Sequence, residues 1–192
     1  MEQNPLFPVF LKLEDLDTLL VGGGNVGHEK LSALLKNSPA ARVTVVAGII
    51  HGPVRELAAS HPNVKLIPRN FRRTDLSGKD LVILATDNPD LHRRIHEETR
   101  KQKVLINVAD TPALCDFYLG SVVTRGNLRI GISTNGKSPT IAKRMREFFE
   151  AALPDEIDDL LNNMNRIRDK IGGDFKEKVK LLNEITAGWG KR

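Results

Sequence analysis

The sequence predicts an α/β fold: a Rossmann-like parallel sheet covered by helices, then a small α+β segment and a C-terminal helical segment. Three observations predict it. Short apolar runs alternate with helix-length stretches across residues 17–108. The first run, Leu19-Leu20-Val21, ends directly in Gly22-Gly23-Gly24-Asn25-Val26-Gly27, glycines spaced G-x-G-x-x-G, and a helical pattern starts straight afterwards. Beyond Asp110 the alternation gives way to two strand-like runs and several amphipathic stretches.

Taken in order, strands are expected at Thr18–Val21, Val43–Ala47, Val64–Ile67, Leu81–Ala85 and Val104–Val108. They are short, and the core ones are β-branched or leucine-rich, as strands buried on both faces should be. Helices fit between them at Val26–Lys36, Pro53–Ser60 and Pro89–Lys101. Proline suits the first turn of the second and third, and Asn88 is a suitable N-cap for the third. Ser121–Thr124 and Leu128–Ser133 form a hairpin joined by Arg125-Gly126-Asn127. Ser138-Pro139 opens a helix over Thr140–Leu153, which Pro154 ends. Asp155–Lys170 and Phe175–Ala187 read as a helical pair broken at Gly172-Gly173. The expected division is 1–112 for the sheet domain, 113–153 for the hairpin and helix, and 154–192 for the C-terminal helices. A hairpin and one helix are too little to be stable alone and leave an open strand edge, so a homodimer formed there is expected.

Composition narrows the function classes. The 192 residues are 40% hydrophobic with a net charge of +5, which suits an anionic partner without naming one. Interleaved aromatics or a known module would be needed for nucleic acid, and neither is present, so nucleic-acid binding is not expected. No apolar stretch reaches the length of a membrane span, and the Met1–Pro5 start does not resemble a secretory one. With Cys115 as the one cysteine, a reducing, cytoplasmic setting is expected.

The glycine segment is the clearest chemical signal. Gly22 permits a tight turn, Gly24 lets the backbone approach a pyrophosphate, and Gly27 lets helix and strand pack closely. The helix N-terminus then meets the phosphate charge with free N–H groups. Candidate cofactor-binding residues are Gly22, Gly24, Asn25, Val26, Gly27, Ala47, Thr86 and Asp87. The strand end Val45-Val46-Ala47-Gly48-Ile49 lacks the usual ribose-binding acid, and no arginine follows, so NAD and NADP are not distinguished there. Thr86 and Asp87 read equally as a helix-capping loop.

Asp110 ends the fifth strand on the ligand edge; it is either a general acid or base or a turn aspartate before Thr111-Pro112. Asp116 has the same ambiguity. His92 and His96 have i, i+4 zinc spacing without a third ligand, so an exposed helix face and no metal site are expected. His28 sits at a helix start, and Cys115 reads as a small buried apolar residue. The loop Ser133–Pro139 combines hydroxyls, Lys137 and a helix N-terminus, which favour anionic groups.

Together these residues resemble a known family. Val21-Gly22-Gly23-Gly24 with Gly27 and Lys30, Ala85-Thr86-Asp87, Asn107-Val108-Ala109-Asp110 and Ile132-Ser133-Thr134-Asn135-Gly136-Lys137-Ser138-Pro139 match it in order and spacing. The chain resembles the precorrin-2 dehydrogenase / sirohydrochlorin ferrochelatase family, the N-terminal module of siroheme synthases, over roughly residues 5–153. That resemblance implies NAD-dependent oxidation of precorrin-2 to sirohydrochlorin, with ferrous iron as a further substrate for insertion, in a homodimer. The family's catalytic aspartate falls on Asp110. Asn107, Ser133, Thr134, Lys137 and Ser138 become substrate-binding candidates. Arg125, Lys137, Lys143 and Arg144 become candidates for the carboxylates of a tetrapyrrole. Thr134 departs from the serine often found there, and the usual proline after Val46-Ala47 is missing. No methyltransferase domain follows, so methylation is expected of another protein. The alternatives are a dehydrogenase without chelatase activity and a non-catalytic NAD-sensing module.

Overall fold

The computed structural model describes residues 4–172 and 174–188. Met1–Gln3 of the expected non-secretory start and Gly173 of the expected Gly172-Gly173 break lie outside them. The chain divides into two units, Met1–Gly120 and Ser121–Arg192. The boundary falls at Gly120 rather than at 112.

The first unit is built on β1 (Asp17–Val21), β2 (Arg42–Val46), β3 (Val64–Ile67), β4 (Leu81–Leu84) and β5 (Leu105–Val108). They form a parallel sheet in the order β3-β2-β1-β4-β5. Its helices are α1 (Asn25–Asn37), α2 (Gly52–Ala59) and α3 (Pro89–Gln102). All five expected strands and all three helices form, with ends that differ by at most one residue. Alternate side chains of each strand feed opposite layers, as the pleat requires. Leu20, Val43, Val45 and Ile83 join Leu31 and Leu35 of α1 and Val54 of α2 in one core. Leu19, Val21, Val82, Leu84 and Ile106 join Ile95 of α3 in the other.

Register places the site. Val21 pairs with Val46 on one side and Leu84 on the other, Val46 with Ile67, and Leu84 with Val108. All five strands therefore end on one row. Chain order reverses at β1, so the crevice beyond that row lies at the topological switch point, where ligands bind in such sheets.

Two 3-10 turns were not expected, at Arg73–Leu76 and Pro112–Leu114. Each is too short to show a helical period. The second opens a stretch, 112–120, that folds back on β5. The Asp116 carboxylate accepts from the N–H of Ile106 at 3.0 Å, and the Asp116 N–H donates to the carbonyl of Ile106 at 2.7 Å. Asp116 thus satisfies the backbone of an edge strand, and it is paired with Arg100 at 2.6 Å. Its part is structural.

The second unit holds the antiparallel pair β6 (Ser121–Arg125) and β7 (Leu128–Ile132), with α4 (Pro139–Ala152), α5 (Ile157–Lys170) and α6 (Phe175–Thr186). Arg125 belongs to β6 rather than to the turn, which is Gly126-Asn127. Gly126 has φ +53°, and a Cβ there would lie 2.1 Å from the Asp158 side chain. Asp158 on α5 accepts from the Asn127 N–H at 2.6 Å and from its Nδ2 at 2.9 Å. Those bonds hold its carboxyl below the ordinary range. They also tie α5 to the hairpin, so residues beyond 154 are built into the same unit as β6 and β7.

Candidate functional site

A cleft of about 710 Å³ opens beyond the strand ends of the first unit. Its floor is the turn after β1. Gly22 has φ +126°, and a Cβ on it would meet the Ala85 carbonyl at 2.2 Å. A Cβ on Gly27 would meet the Gly22 carbonyl at 2.3 Å, so α1 seats directly on the turn. Gly23, the glycine outside the motif spacing, is equally constrained: its Cβ would stand 2.5 Å from the Ile49 carbonyl. At Gly24 the nearest atom would be 3.8 Å away, which leaves that face open to the cleft.

The helix beyond is prepared for an anion. Gly24 is the N-cap of α1, no side chain caps it, and its first turn carries no acid. The N–H groups of that turn and the positive end of the dipole are therefore not satisfied by a capping side chain or by an acid of the turn itself. These features fit the pyrophosphate of a dinucleotide.

The expected cofactor residues come together. Gly22, Gly24, Asn25, Val26, Ala47, Thr86 and Asp87 all line the cleft, and Gly27 lies behind it. Asp110 lines it too. It follows β5 in the left-handed region at φ +56°, which aspartate tolerates better than most residues. Two carboxylates, Asp87 and Asp110, therefore line the same cleft as the glycine turn and the start of α1.

His92 departs from the expected exposed face. It is buried on α3, with its Nε2 2.8 Å from the Thr86 hydroxyl, while His96 is half-buried beside Arg100. Burial pushes the His92 imidazole below its ordinary value, against the opposing effects of the Thr86 bond and of Asp87. The hydrogen bond between His92 Nε2 and the Thr86 hydroxyl fixes the position of a hydroxyl that lines the cleft. Among the described residues no group of three or more His, Cys, Asp or Glu is placed to hold a metal ion.

Other candidates have their bonds inside the fold. Asn107 is buried, and its Nδ2 donates to the Phe117 carbonyl at 2.8 Å, which anchors the stretch after β5. Cys115 is half-buried; its thiol, 3.3 Å from the Val108 carbonyl, is pushed up by burial. His28 is within 3.4 Å of the Ser32 hydroxyl.

In the second unit the Ser133–Pro139 loop is braced by its own hydroxyls. Thr134 Oγ1 donates to the Ser138 carbonyl at 3.1 Å and accepts from the Ser138 N–H at 3.2 Å. Ser133 Oγ accepts from Asn135 N–H, and Ser138 Oγ caps α4 at Ile141. Lys137 is exposed at the tip. Arg125 donates to the Glu150 carbonyl at 2.6 Å, while Lys143 and Arg144 both face Glu147.

Two residues of the cleft escaped the sequence reading. Asn70 and Phe71, just past β3, line it together with Thr86 and Asp87. The signal was their position after the third strand-like run, Val64–Ile67, which ends on the same row as the other strands; no motif marks them.

A family model described as putative NAD(P)-binding matches residues 9–121, more than half of the chain. A second, described as the sirohaem biosynthesis protein central segment, matches residues 125–152. A siroheme synthase of Psychrobacter arcticus is 34% identical over 183 residues, 95% of this chain. The chain belongs to the siroheme synthase family. It spans about a third of the length of the curated relatives it matches, 32% of the Psychrobacter arcticus protein. A siroheme synthase of Thioalkalivibrio sulfidiphilus is 38% identical over 148 residues, covering 77% of this chain and 30% of its own. The solved structure of a precorrin-2 dehydrogenase matches with a TM-score of 0.75 at 22% identity, covering 94% of this chain and 89% of that one. That likeness shows that this siroheme synthase family member shares its fold.

Proposed function

We propose that this chain is an NAD-dependent oxidoreductase that converts precorrin-2 to sirohydrochlorin in siroheme biosynthesis. The observation that carries the reading is Asp110 on the wall of the same cleft that the glycine turn and the α1 N-terminus open to a dinucleotide. Bound NAD supplies the hydride acceptor. The chain's own residues do the rest. The Gly22–Gly27 turn and α1 hold the pyrophosphate, Thr86 and Asp87 line the same cleft, and the Asp110 carboxylate takes the proton that substrate oxidation releases. The same carboxylate is suited to removing pyrrole N–H protons, so ferrous iron insertion to give siroheme is included in the reading.

The tetrapyrrole is an anionic substrate, and the net charge of +5 favours its approach. The proposal includes a homodimer made by the second unit, for which Ile141, Met145 and Phe148 offer an exposed apolar stripe on α4. Substrate contacts from Ser133, Thr134, Lys137, Ser138, Arg125, Lys143 and Arg144 belong to the same proposal, as does a cytoplasmic location. Among the described residues no helix is long and apolar enough to cross a membrane.

The test is anaerobic incubation of the purified chain with precorrin-2 and NAD. Sirohydrochlorin and NADH are expected together, in equal amounts. No spectral change with NAD or NADP removes the dehydrogenase reading. Ferrous ion added afterwards addresses insertion separately, and a rate no higher than in protein-free buffer removes that part alone.

A further inference from the structure

Clefts of this topology usually hold the adenosine ribose on an Asp or Glu at the end of the second strand. Here Ala47-Gly48-Ile49 follows β2, and none of these carries a polar side chain. Among the described residues lining the cleft beyond β2 and β3, Asn70 supplies the polar side chain. It comes from the neighbouring strand, yet it reaches the vacant position: a Cβ on Gly48 would stand 2.5 Å from Asn70 Oδ1.

Its mount is rigid. The Arg69 guanidinium grips Asp75 through two bonds of 2.8 and 2.6 Å and also donates to the Asn70 carbonyl at 3.0 Å. Asp75 in turn accepts from the Arg72 N–H at 2.8 Å. The Asp75 carboxyl is held below its ordinary range, chiefly by Arg69. Beside this loop Ile49, 78% exposed, gives an apolar wall at the place where a purine would lie.

We propose that Asn70 holds the adenosine ribose and, being uncharged, leaves the cleft open to a 2′-phosphate that a carboxylate there would exclude. The inference rests on the dinucleotide reading of the cleft. A carboxamide both donates and accepts, so it pairs with ribose hydroxyls without presenting a charge. A carboxylate at that place repels a 2′-phosphate; a carboxamide does not. The cleft therefore discriminates weakly between NAD and NADP.

The experiment titrates NADH and NADPH separately into the full chain and its Asn70→Ala and Asn70→Asp variants, following nicotinamide fluorescence. Thermal unfolding without ligand checks that each variant folds as the parent does. The parent chain binds both nucleotides with affinities within about tenfold of one another. Asn70→Ala weakens NADH by about three- to tenfold, the loss of one or two neutral hydrogen bonds. Asn70→Asp keeps NADH and weakens NADPH by about tenfold or more, the effect of like charges brought together. A parent chain that binds neither nucleotide defeats the cleft reading and the proposal with it. A parent chain that binds NADH while both variants match it for both ligands overturns the role of Asn70 alone. So does a parent preference of more than about a hundredfold for one nucleotide, or an Asn70→Asp protein that weakens both ligands equally.

Discussion

Asp110 combines two properties that seldom meet in one side chain: a left-handed backbone at φ +56° and a carboxylate on a ligand cleft. Residues held in sparsely populated backbone regions cost free energy and cluster where geometry serves function. The Ala109 N–H bond to the Leu84 carbonyl at 2.9 Å fixes the preceding residue to β4, so the carboxylate has a defined origin. Replacing Asp110 by Ala removes the proposed base and leaves the glycine turn intact. Turnover of precorrin-2 should fall by about 10²–10⁴, with NADH affinity by fluorescence unchanged. Full turnover in the variant would reject the assignment. Legibility at this scale followed local geometry. The places of Gly22, Gly24 and Gly27 between β1 and the first turn of α1, and of Asp110 just past β5, were readable because local spacing and strand order fix them. Asn70 was not, because its place over Gly48 arises from β2 and β3 pairing across the sheet. Thr134 and Asn107 were readable as polar residues, but their partners, Ser138 and Phe117, follow only from the folded loops.

The elements themselves were largely legible, since strand and helix periods differ and proline and asparagine mark starts. Asn88 caps α3 as expected, accepting from the Leu91 N–H at 2.9 Å. What the period alone misplaced was the inner face of α3. His92 reads as polar beside Arg93 and Arg94, yet it faces the sheet and meets Thr86 in the loop after β4. This bond ties a helix to the cleft-forming end of a strand, and it makes the tie dependent on pH. Burial lowers the folded value of His92 below the unfolded one. The unfolded chain therefore binds more protons between those two values, and stability rises with pH there. The contribution is complete above the unfolded value of about 6.5 and is lost as pH falls through the folded value. Urea unfolding at about pH 7.5 and 5.5, around that value, should show a loss of stability in acid that is smaller in His92→Gln, whose amide can still meet Thr86. Asp75, Glu98 and Asp158, held low by their partners, lose their contributions only in the lower carboxylate range. Identical pH slopes for the two proteins would show that the tie does not titrate in this window.

At the scale of the whole molecule the question is what a chain with this second unit does with its surface. The β6–β7 pair has two strands and hence two open edges, and the strands bury little: Val123 is their one fully buried residue. On α4, Ile141, Met145 and Phe148 lie at i, i+4 and i+7, on one side of the helix, and are 55%, 39% and 62% exposed. The dimer expected from the small size of the hairpin and helix is proposed on the same ground, with the exposed α4 stripe added. The clamp of Asp158 on the hairpin turn was not legible, because it joins residues 31 positions apart. That clamp strengthens the unit internally, but it leaves the strand edges and the α4 stripe uncovered. A symmetric pair of such units covers both, and a stable interface of that kind buries about 1,200–2,000 Å². Light scattering on the purified chain should therefore give twice the 21.3 kDa of one copy. Because association stabilises the folded state, the unfolding midpoint should rise with protein concentration. Phe148→Asp places a charge in the middle of the stripe and should yield monomer with an unchanged circular dichroism spectrum. A parent chain at the mass of one copy across the concentration range would reject the dimer. A Phe148→Asp protein that remains dimeric would move the contact off α4 and onto the strand edges.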